Sequence, residues 1–163
     1  SHVHLFYGWN TYDAMIAKGA RKPEFKDAMV KLMKQPNVFE HGRIGHKKLA
    51  KEFLMSGIWA YPSHFEEISC ISAMKAQAAG CVPVCTNYAA LKETVKTGII
   101  IEGKCGDGTT NEEFKKSLIE ILKNEQKQQE IKVILLDNKA QFGWDRVAKS
   151  WSTNLFNSVP VLC

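Results

Sequence analysis

Short apolar runs alternate with segments of helical periodicity along most of this chain. The runs predict strands at residues 3–9, 37–40, 58–61, 82–85 and 99–101. Between the second and third runs, Leu49, Ala50, Phe53 and Leu54 recur at the spacing of one helix face. This alternation is typical of βα units around a parallel sheet. It predicts an α/β fold, a three-layer α/β/α Rossmann-like parallel sheet.

The segments between the strands predict the helices and loops. Helices are expected at residues 24–34, 47–55, 69–79 and 88–96, then as two lysine-rich helices and a closing helix at 144–157. Residues 10–23 are expected to form a polar loop. The spacing of Thr110 and Glu113 predicts a capping box at a helix start.

Length and composition bound the class of protein. A chain of 163 residues with 45% hydrophobic and 24% charged content predicts one globular domain, residues 1–163. The sequence has no apolar run long enough to span a bilayer and no signal-like N-terminus, so a cytoplasmic protein is expected. Five scattered cysteines without a CxxC pair predict reduced thiols and no metal site.

The net charge of +5 comes from lysines interleaved with acidic and amide residues along the predicted helices. This pattern favours a solvated surface over a nucleic-acid groove, so no nucleic-acid partner is expected. A modest positive field would still attract a diphosphate ligand or an anionic membrane surface. The aromatic residues Phe6, Tyr7, Trp59, Trp144 and Trp151 are interpreted as core or domain-packing residues.

Residues 61–71 join the end of a predicted strand to the start of a predicted helix. In open parallel sheets, ligands bind at this edge, and the free amides of a helix start favour phosphate. Glu66 and Glu67 could accept hydrogen bonds from sugar hydroxyls, or they could stabilise the helix start, with Ser63 and Glu66 forming a capping box. The capping role is the favoured interpretation of Glu66.

The same region carries a family resemblance. Tyr61-Pro62-Ser63, Glu67, the helix 73–80 and Pro83-Val84 resemble the P-S, E-x7-E and A-x-G-x-P-V motifs of retaining GT-B glycosyltransferases of family GT4. Residues 69–80 are similar to a subgroup that reads S-C-I-[ST]-A-x-x-A-Q-A-A-G. Supporting matches are Leu5-Phe6-Tyr7-Gly8-Trp9, His41-Gly42-Arg43, Ala90-Leu91-Lys92-Glu93-Thr94-Val95 before Gly98, and Phe142-Gly143-Trp144.

The resemblance implies that the chain is the C-terminal, donor-binding half of a GT-B enzyme. No segment before Val3 supplies the first βα unit of that half, so the chain is expected to be a fragment of a larger two-domain enzyme. In the 3-2-1-4-5-6 strand order of such sheets, loss of the central first strand would leave an unpaired edge on each flank.

The resemblance also implies the site residues. Glu67 would be the catalytic residue at the donor sugar, and the amides of Ile68, Ser69, Cys70 and Ile71 would hold the diphosphate. Lys75 stands where the family has the second glutamate, which binds the ribose, so Lys75 is expected to contact ribose or phosphate. Gly42 and Arg43 are expected near the base, although a surface role for Arg43 is an equal alternative.

The implied activity is a retaining, metal-independent hexosyltransferase that needs no cofactor beyond its donor, a UDP or GDP sugar. The acceptor, a glycan, lipid-linked or protein hydroxyl, would bind through the missing N-terminal domain, so this chain alone is not expected to be catalytically competent. Peripheral membrane association and self-association through an exposed sheet edge are left open. The rival hypothesis is a degenerate, non-catalytic domain that binds nucleotide sugars or serves assembly, which Lys75 favours.

Overall fold

The computed structural model describes the backbone of residues 1–156 and the side chains of residues 1–154. The chain divides into two compact units, one of residues 1–49 and one from residue 50 onward, with the boundary inside a helix. Each unit has its own parallel sheet. In the described part of the chain, no helix combines the length and the apolar character that a membrane crossing requires.

The first unit is built on two short parallel strands. Strand β1 (Val3–Leu5) pairs with β2 (Val38–Glu40), and His4 lies opposite Phe39. Helices α1 (Asn10–Ala17) and α2 (Pro23–Met33) lie between the strands in sequence. The predicted loop at residues 10–23 is therefore wrong in its first half. The polar composition of this segment did not indicate a helix, but Tyr12 stabilises one through two contacts. The Tyr12 hydroxyl donates to the Lys22 carbonyl at 3.1 Å, and its ring packs edge-on against Trp9.

The second unit contains three parallel strands in the order β3-β4-β5. These are β3 (Ile58–Tyr61), β4 (Val82–Asn87) and β5 (Ile99–Glu102), and they confirm the predicted runs. The helices around them are α3 (His46–Met55), α4 (Ile71–Ala78), α5 (Leu91–Thr94), α6 (Gly108–Leu122), α7 (Glu125–Asp137) and α8 (Trp144–Trp151). The outer strands of both sheets pair with a single neighbour in the described part, as in any open sheet, and the expected loss of a first strand stays a prediction.

Both faces of the three-stranded sheet are covered, which confirms the three-layer prediction. On one face, Cys85 packs with Leu91 and with Cys70 and Ala73 at the start of α4. On the other face, Val82, Val84 and Ile101 pack against Ile121 of α6. Successive residues of β4 point to opposite faces, and this alternation distributes its apolar side chains between the two layers.

A proline sits in the central strand, where its missing N–H would normally be unfavourable. Pro83 lies opposite Trp59 of β3, and the residue before β5 on its other side is Gly98. A Cβ atom at Gly98 would lie 2.6 Å from the Pro83 carbonyl oxygen, and Gly98 has φ of 140°. Only glycine permits this approach and this backbone conformation, so Pro83 and Gly98 form one structural unit of the sheet.

Two helix starts differ from the predictions. Thr110 does not cap α6: it lies buried inside the helix, and its hydroxyl donates to the Glu102 carbonyl at 3.3 Å. The capping-box prediction is wrong because the helix begins at Gly108, with Asp107 before it. Helix α5 is a single turn, Leu91–Thr94, and not the predicted helix at residues 88–96. The predicted end of α4 is confirmed, because Gly80 follows its C-cap residue.

Candidate functional site

The carboxyl ends of β3, β4 and β5 are tied together at one buried serine. The Ser63 N–H donates to Thr86 Oγ1 at 2.9 Å, and Thr86 Oγ1 donates to the Ser63 carbonyl at 3.0 Å. The Cys105 N–H, on the loop after β5, donates to the same carbonyl at 3.0 Å. The three loops at this edge of the sheet are therefore held in a fixed arrangement.

This arrangement excludes the predicted capping box of Ser63 and Glu66. Both backbone groups of Ser63 are already bonded to Thr86 and Cys105, so no helix can begin there, and α4 begins only at Ile71. The Ser63 hydroxyl instead accepts from the Phe65 N–H at 3.1 Å. Glu66 accepts from the Tyr88 hydroxyl at 2.9 Å, a hydrogen bond that raises the pKa of Tyr88.

Glu67 lies at the centre of this edge. Its N–H donates to the Phe65 carbonyl at 2.9 Å, and its carbonyl accepts from the Ala90 N–H at 3.3 Å. Its Oε1 atom is buried and has no hydrogen-bond partner among the described residues. A buried acceptor without a partner is unfavourable, so this oxygen is suited to accept a hydrogen bond from a ligand.

The Glu67 carboxylate acts on two neighbouring groups, the Tyr61 hydroxyl and the Cys70 thiol. Burial, followed by the charge of Glu67, raises the pKa of the Tyr61 hydroxyl. Burial also raises the pKa of the Cys70 thiol, and the nearby Glu67 carboxylate raises it further. Glu67, Tyr61 and Cys70 therefore form one electrostatic cluster, in which the carboxylate favours the protonated neighbours.

The loop after β4 contributes a strained residue to the same edge. Ala89 has φ of 47°, a left-handed conformation that is uncommon for a residue other than glycine. The next residue, Ala90, is the one whose N–H bonds the Glu67 carbonyl. Backbone strain of this kind concentrates at functional sites, and here it accompanies the residue that fixes the Glu67 main chain.

The predicted diphosphate-binding residues divide at the start of α4. Ile68, Ser69 and Cys70 precede the helix, and Ile71 is its first residue, two positions later than predicted. The first intrahelical bond runs from the Met74 N–H to the Cys70 carbonyl at 3.2 Å. The amides of residues 71–73 consequently form the helix terminus, while Ile68, with 99% of its surface exposed, lies in the preceding loop.

Lys75 lies on α4, one turn after Ile71, so the two residues share a side of the helix. This side differs from the one that carries the buried residues Ala73, Ala76 and Gln77. Lys75 is half-buried. Of the predicted diphosphate-binding residues, only Ile71 therefore lies on the same helix as Lys75.

Gly42 and Arg43 belong to the first unit, where they follow β2. The Gly42 backbone has φ of 63°, and a Cβ atom there would meet no atom within 4 Å. Arg43 is exposed, and a side chain at Gly8 would begin 3.5 Å from Arg43 Cβ. Gly8 and Arg43 are therefore neighbours in the first unit, and the positive φ of Gly42 is what favours glycine in this turn.

Four residues of the edge were absent from the predicted site. Thr86 and Tyr88 organise the loops as described, and Asn87 Nδ2 donates to Glu102 Oε1 at 2.6 Å. Thr86, Asn87, Tyr88 and Glu102 all lie at or directly after the carboxyl ends of β4 and β5, and this position is the signal that could have identified them.

A cavity of about 530 Å³ lies away from this edge, at the amino end of β5, where it is lined by Ile99, Ile121 and Asn124.

A comparison with family models matches residues 5–133 to glycosyl transferases group 1. The chain belongs to the glycosyl transferases group 1 family. No curated protein is similar enough to this chain to count as a match. The family match includes every predicted site residue from Gly42 to Lys75 and ends within α7, before α8. Membership of this family identifies the chain as a glycosyltransferase domain.

Proposed function

We propose that this domain binds a nucleoside-diphosphate sugar as the donor-binding, C-terminal half of a retaining GT-B glycosyltransferase of the GT4 type. The observation that carries the proposal is the buried, unpartnered Oε1 of Glu67 at the carboxyl edge of the parallel sheet. Ligands of such sheets bind at this edge. The carboxylate would accept hydrogen bonds from hydroxyls of the donor sugar.

The start of α4 supplies a complementary group for the diphosphate. The amides of Ile71 and Ser72 at the helix start, together with the loop amides of Ile68, Ser69 and Cys70, would contact the phosphate oxygens. As the acceptor hydroxyl attacks the anomeric carbon, negative charge builds on the leaving nucleoside diphosphate. Backbone amides at a helix start stabilise such charge without a metal ion.

Lys75 would complete the nucleotide contacts within the second unit. Lys75 can donate hydrogen bonds to ribose hydroxyls or to a phosphate, but it cannot accept them as a glutamate would. In the first unit, Gly42 and Arg43 would lie near the base, where the family resemblance assigns them, and the Arg43 guanidinium could stack on it. The donor is a UDP or GDP sugar, and the acceptor, a glycan, lipid or protein hydroxyl, would bind a second domain of a cytoplasmic enzyme.

Two adjacent glutamates provide a matched test of this site. Glu67→Gln should weaken binding of UDP- or GDP-hexoses by at least about tenfold in calorimetric titration, since a buried charge-assisted hydrogen bond is lost. Glu66→Gln serves as the control, because Glu66 is exposed and bonds only Tyr88 among the described residues. Equal affinities of the two variants would remove the assigned role of Glu67.

The lysine at position 75 tests the nucleotide end of the site. Lys75→Glu restores the acceptor that the family motif places there, so affinity for a nucleotide sugar should rise if Lys75 lies at the ribose. Affinity should fall if Lys75 binds a phosphate. Lys92→Glu, the same change on α5, is the charge control and should leave the affinity unchanged.

Lys75 also favours a second candidate function, a non-catalytic domain that binds nucleotide sugars or serves assembly. Melting temperatures of the parent chain, measured with and without UDP- and GDP-hexoses, distinguish an assembly role from a donor-binding role. A shift of the melting temperature with nucleotide sugar supports donor binding. The absence of a shift with every donor, both for this chain and for an N-terminally extended form, would favour assembly.

A further inference from the structure

Helix α8 presents a two-sided surface that the donor-binding proposal leaves unused. Its apolar residues are Trp144, Val147, Ala148 and Trp151, which recur at spacings of three and four and therefore share one face. Asp145, Arg146, Lys149 and Ser150 occupy the other side. Over two turns the helix thus separates an aromatic face from a polar one that carries two basic residues and one acidic residue.

The aromatic face is largely uncovered. Trp144 is 83% exposed and Trp151 is 60% exposed, whereas Val147 between them is half-buried. The helix continues directly into a π-helical segment at Ser152–Phe156, and it contacts the preceding 3-10 turn at Lys139–Phe142, which packs on α4. Trp144 and Trp151 are therefore not core residues, because packing half-buries only Val147 on this face; the alternative expectation, domain packing, stays a prediction.

We propose that α8 lies on an anionic lipid surface, with Trp144 and Trp151 inserted at the level of the headgroups. Tryptophan favours the membrane–water interface because its ring is apolar and its N–H can still bond water or headgroups. The exposed cations Arg146 and Lys149 lie on the polar side of the helix with the carboxylate of Asp145, and Lys139 is exposed on the turn before the helix. This excess of positive charge complements acidic phospholipids.

The dimensions of α8 fit a helix that lies in the interface. Eight residues span about 12 Å, far less than the bilayer core. The two tryptophans mark the ends of the helix, so both can enter the headgroup region only when the helix axis is parallel to the membrane. This arrangement is that of a short interfacial anchor, and it is independent of any role of Glu67 in donor binding.

Vesicle co-sedimentation of the whole chain tests the proposal. Vesicles of phosphatidylcholine with about 30% phosphatidylserine should bind the chain, and vesicles of phosphatidylcholine alone should bind it several-fold less. Trp144→Ala with Trp151→Ala should lower the partition coefficient by at least about tenfold. Arg146→Gln with Lys149→Gln should lower binding about fivefold per charge on the acidic vesicles.

Matched changes elsewhere in the second unit serve as controls. Leu54→Ala with Met55→Ala removes exposed apolar surface from α3, and Lys115→Gln with Lys116→Gln removes two exposed charges from α6. Both control variants should bind as the parent does. Equal loss in the controls, or unchanged binding of the tryptophan variant, would overturn the proposal.

Light scattering identifies the principal rival, a second copy of the chain on the same face. If the parent self-associates and the tryptophan variant does not, while vesicle binding is the same for both, α8 is a protein interface and the proposal fails. A blue shift of tryptophan emission on addition of acidic vesicles, absent from the double variant, would support insertion. Melting temperatures equal to that of the parent establish that these exposed substitutions leave the fold intact.

Discussion

The two units of this chain are stabilised in different ways. All residues from 1 to 49 are described, and each keeps at least part of its surface exposed. In the second unit, β4 buries Val82, Val84 and Cys85 almost completely between two helical layers. Because burial of apolar surface is the main favourable term in folding, most of the stability must reside in the second unit.

The first unit relies instead on contacts between exposed side chains. The rings of Phe39, His4, His41 and Phe6 stack in series along one face of β1 and β2, and His4 Nδ1 lies 2.9 Å from His41 Nε2. Trp9 Nε1 donates to Glu40 Oε1 at 3.1 Å. Such contacts are individually weak in water, so this unit should open more readily than the core of the second.

Gly98→Ala should produce the largest effect, because it disrupts the contact of Gly98 with Pro83 in β4, the central strand of the second unit. The new Cβ atom would lie 2.6 Å from the Pro83 carbonyl oxygen, in a backbone conformation that alanine disfavours. We expect a loss of about 3 kcal/mol or more of unfolding free energy in urea denaturation. Gly106→Ala is the control, because Gly106 also has positive φ but faces open space; its loss should be smaller.

A pair of identical truncations compares the units directly. Leu91 is 1% exposed in the second unit, and Leu32 is 53% exposed on α2 of the first. Leu91→Ala should lower the unfolding free energy by about 2 to 5 kcal/mol because it leaves a cavity. Leu32→Ala should lower it by about 0.5 kcal/mol or less. Similar losses in urea denaturation would contradict the assignment of the core to the second unit.

The fold was predictable where local sequence and tertiary packing agree. The apolar runs of β3, β4 and β5 are buried on both faces, so the sequence alone marks them. Helix α1 was missed because its packing partners, Lys22 and Phe25, lie outside the local pattern. The exposure of Trp144 and Trp151 was missed because hydrophobicity does not reveal what covers a side chain.

The candidate site was predictable only in part. The position of Glu67 between a strand and a helix could be deduced, but its buried oxygen depends on the fold around it. The capping box of Ser63 and Glu66 was wrongly predicted because Ser63 is held by Thr86 and Cys105, which are 23 and 42 positions away in the sequence. Bonds over such separations leave no local signature.

Alkaline pH should weaken the second unit selectively, since the first contains no cysteine. Burial raises the pKa of Cys81 to about 11 and that of Cys85 to about 12, from an ordinary value of 9.0. Above pH 9 the unfolded thiols ionise while the folded ones stay protonated, so stability is intact below about pH 9 and falls as the pH rises towards the folded pKa values. Each thiol should contribute a loss of about 1 to 2 kcal/mol between pH 8 and pH 10.5.

Urea denaturation at the two pH values measures this effect. Cys85→Ala should reduce the difference between pH 8 and pH 10.5 by about 1 to 2 kcal/mol, whatever its own effect at pH 8. Cys105→Ala, on the partly exposed loop after β5, is the control and should leave the difference unchanged. If the Cys85 variant kept the full pH dependence of the parent, burial of that thiol could not be its source.

The smallest effect is expected at the ion pair between the helices of the first unit. Lys26 Nζ lies 2.5 Å from Asp13 Oδ1, and both side chains are partly exposed. Asp13→Asn should increase amide hydrogen exchange in α1 and α2 by no more than a few-fold, as an exposed pair is worth about 0.2 to 1 kcal/mol. Salt at about 1 M should remove most of the difference by screening. A larger, salt-independent increase would mean that this pair, rather than the aromatic contacts, holds the first unit together.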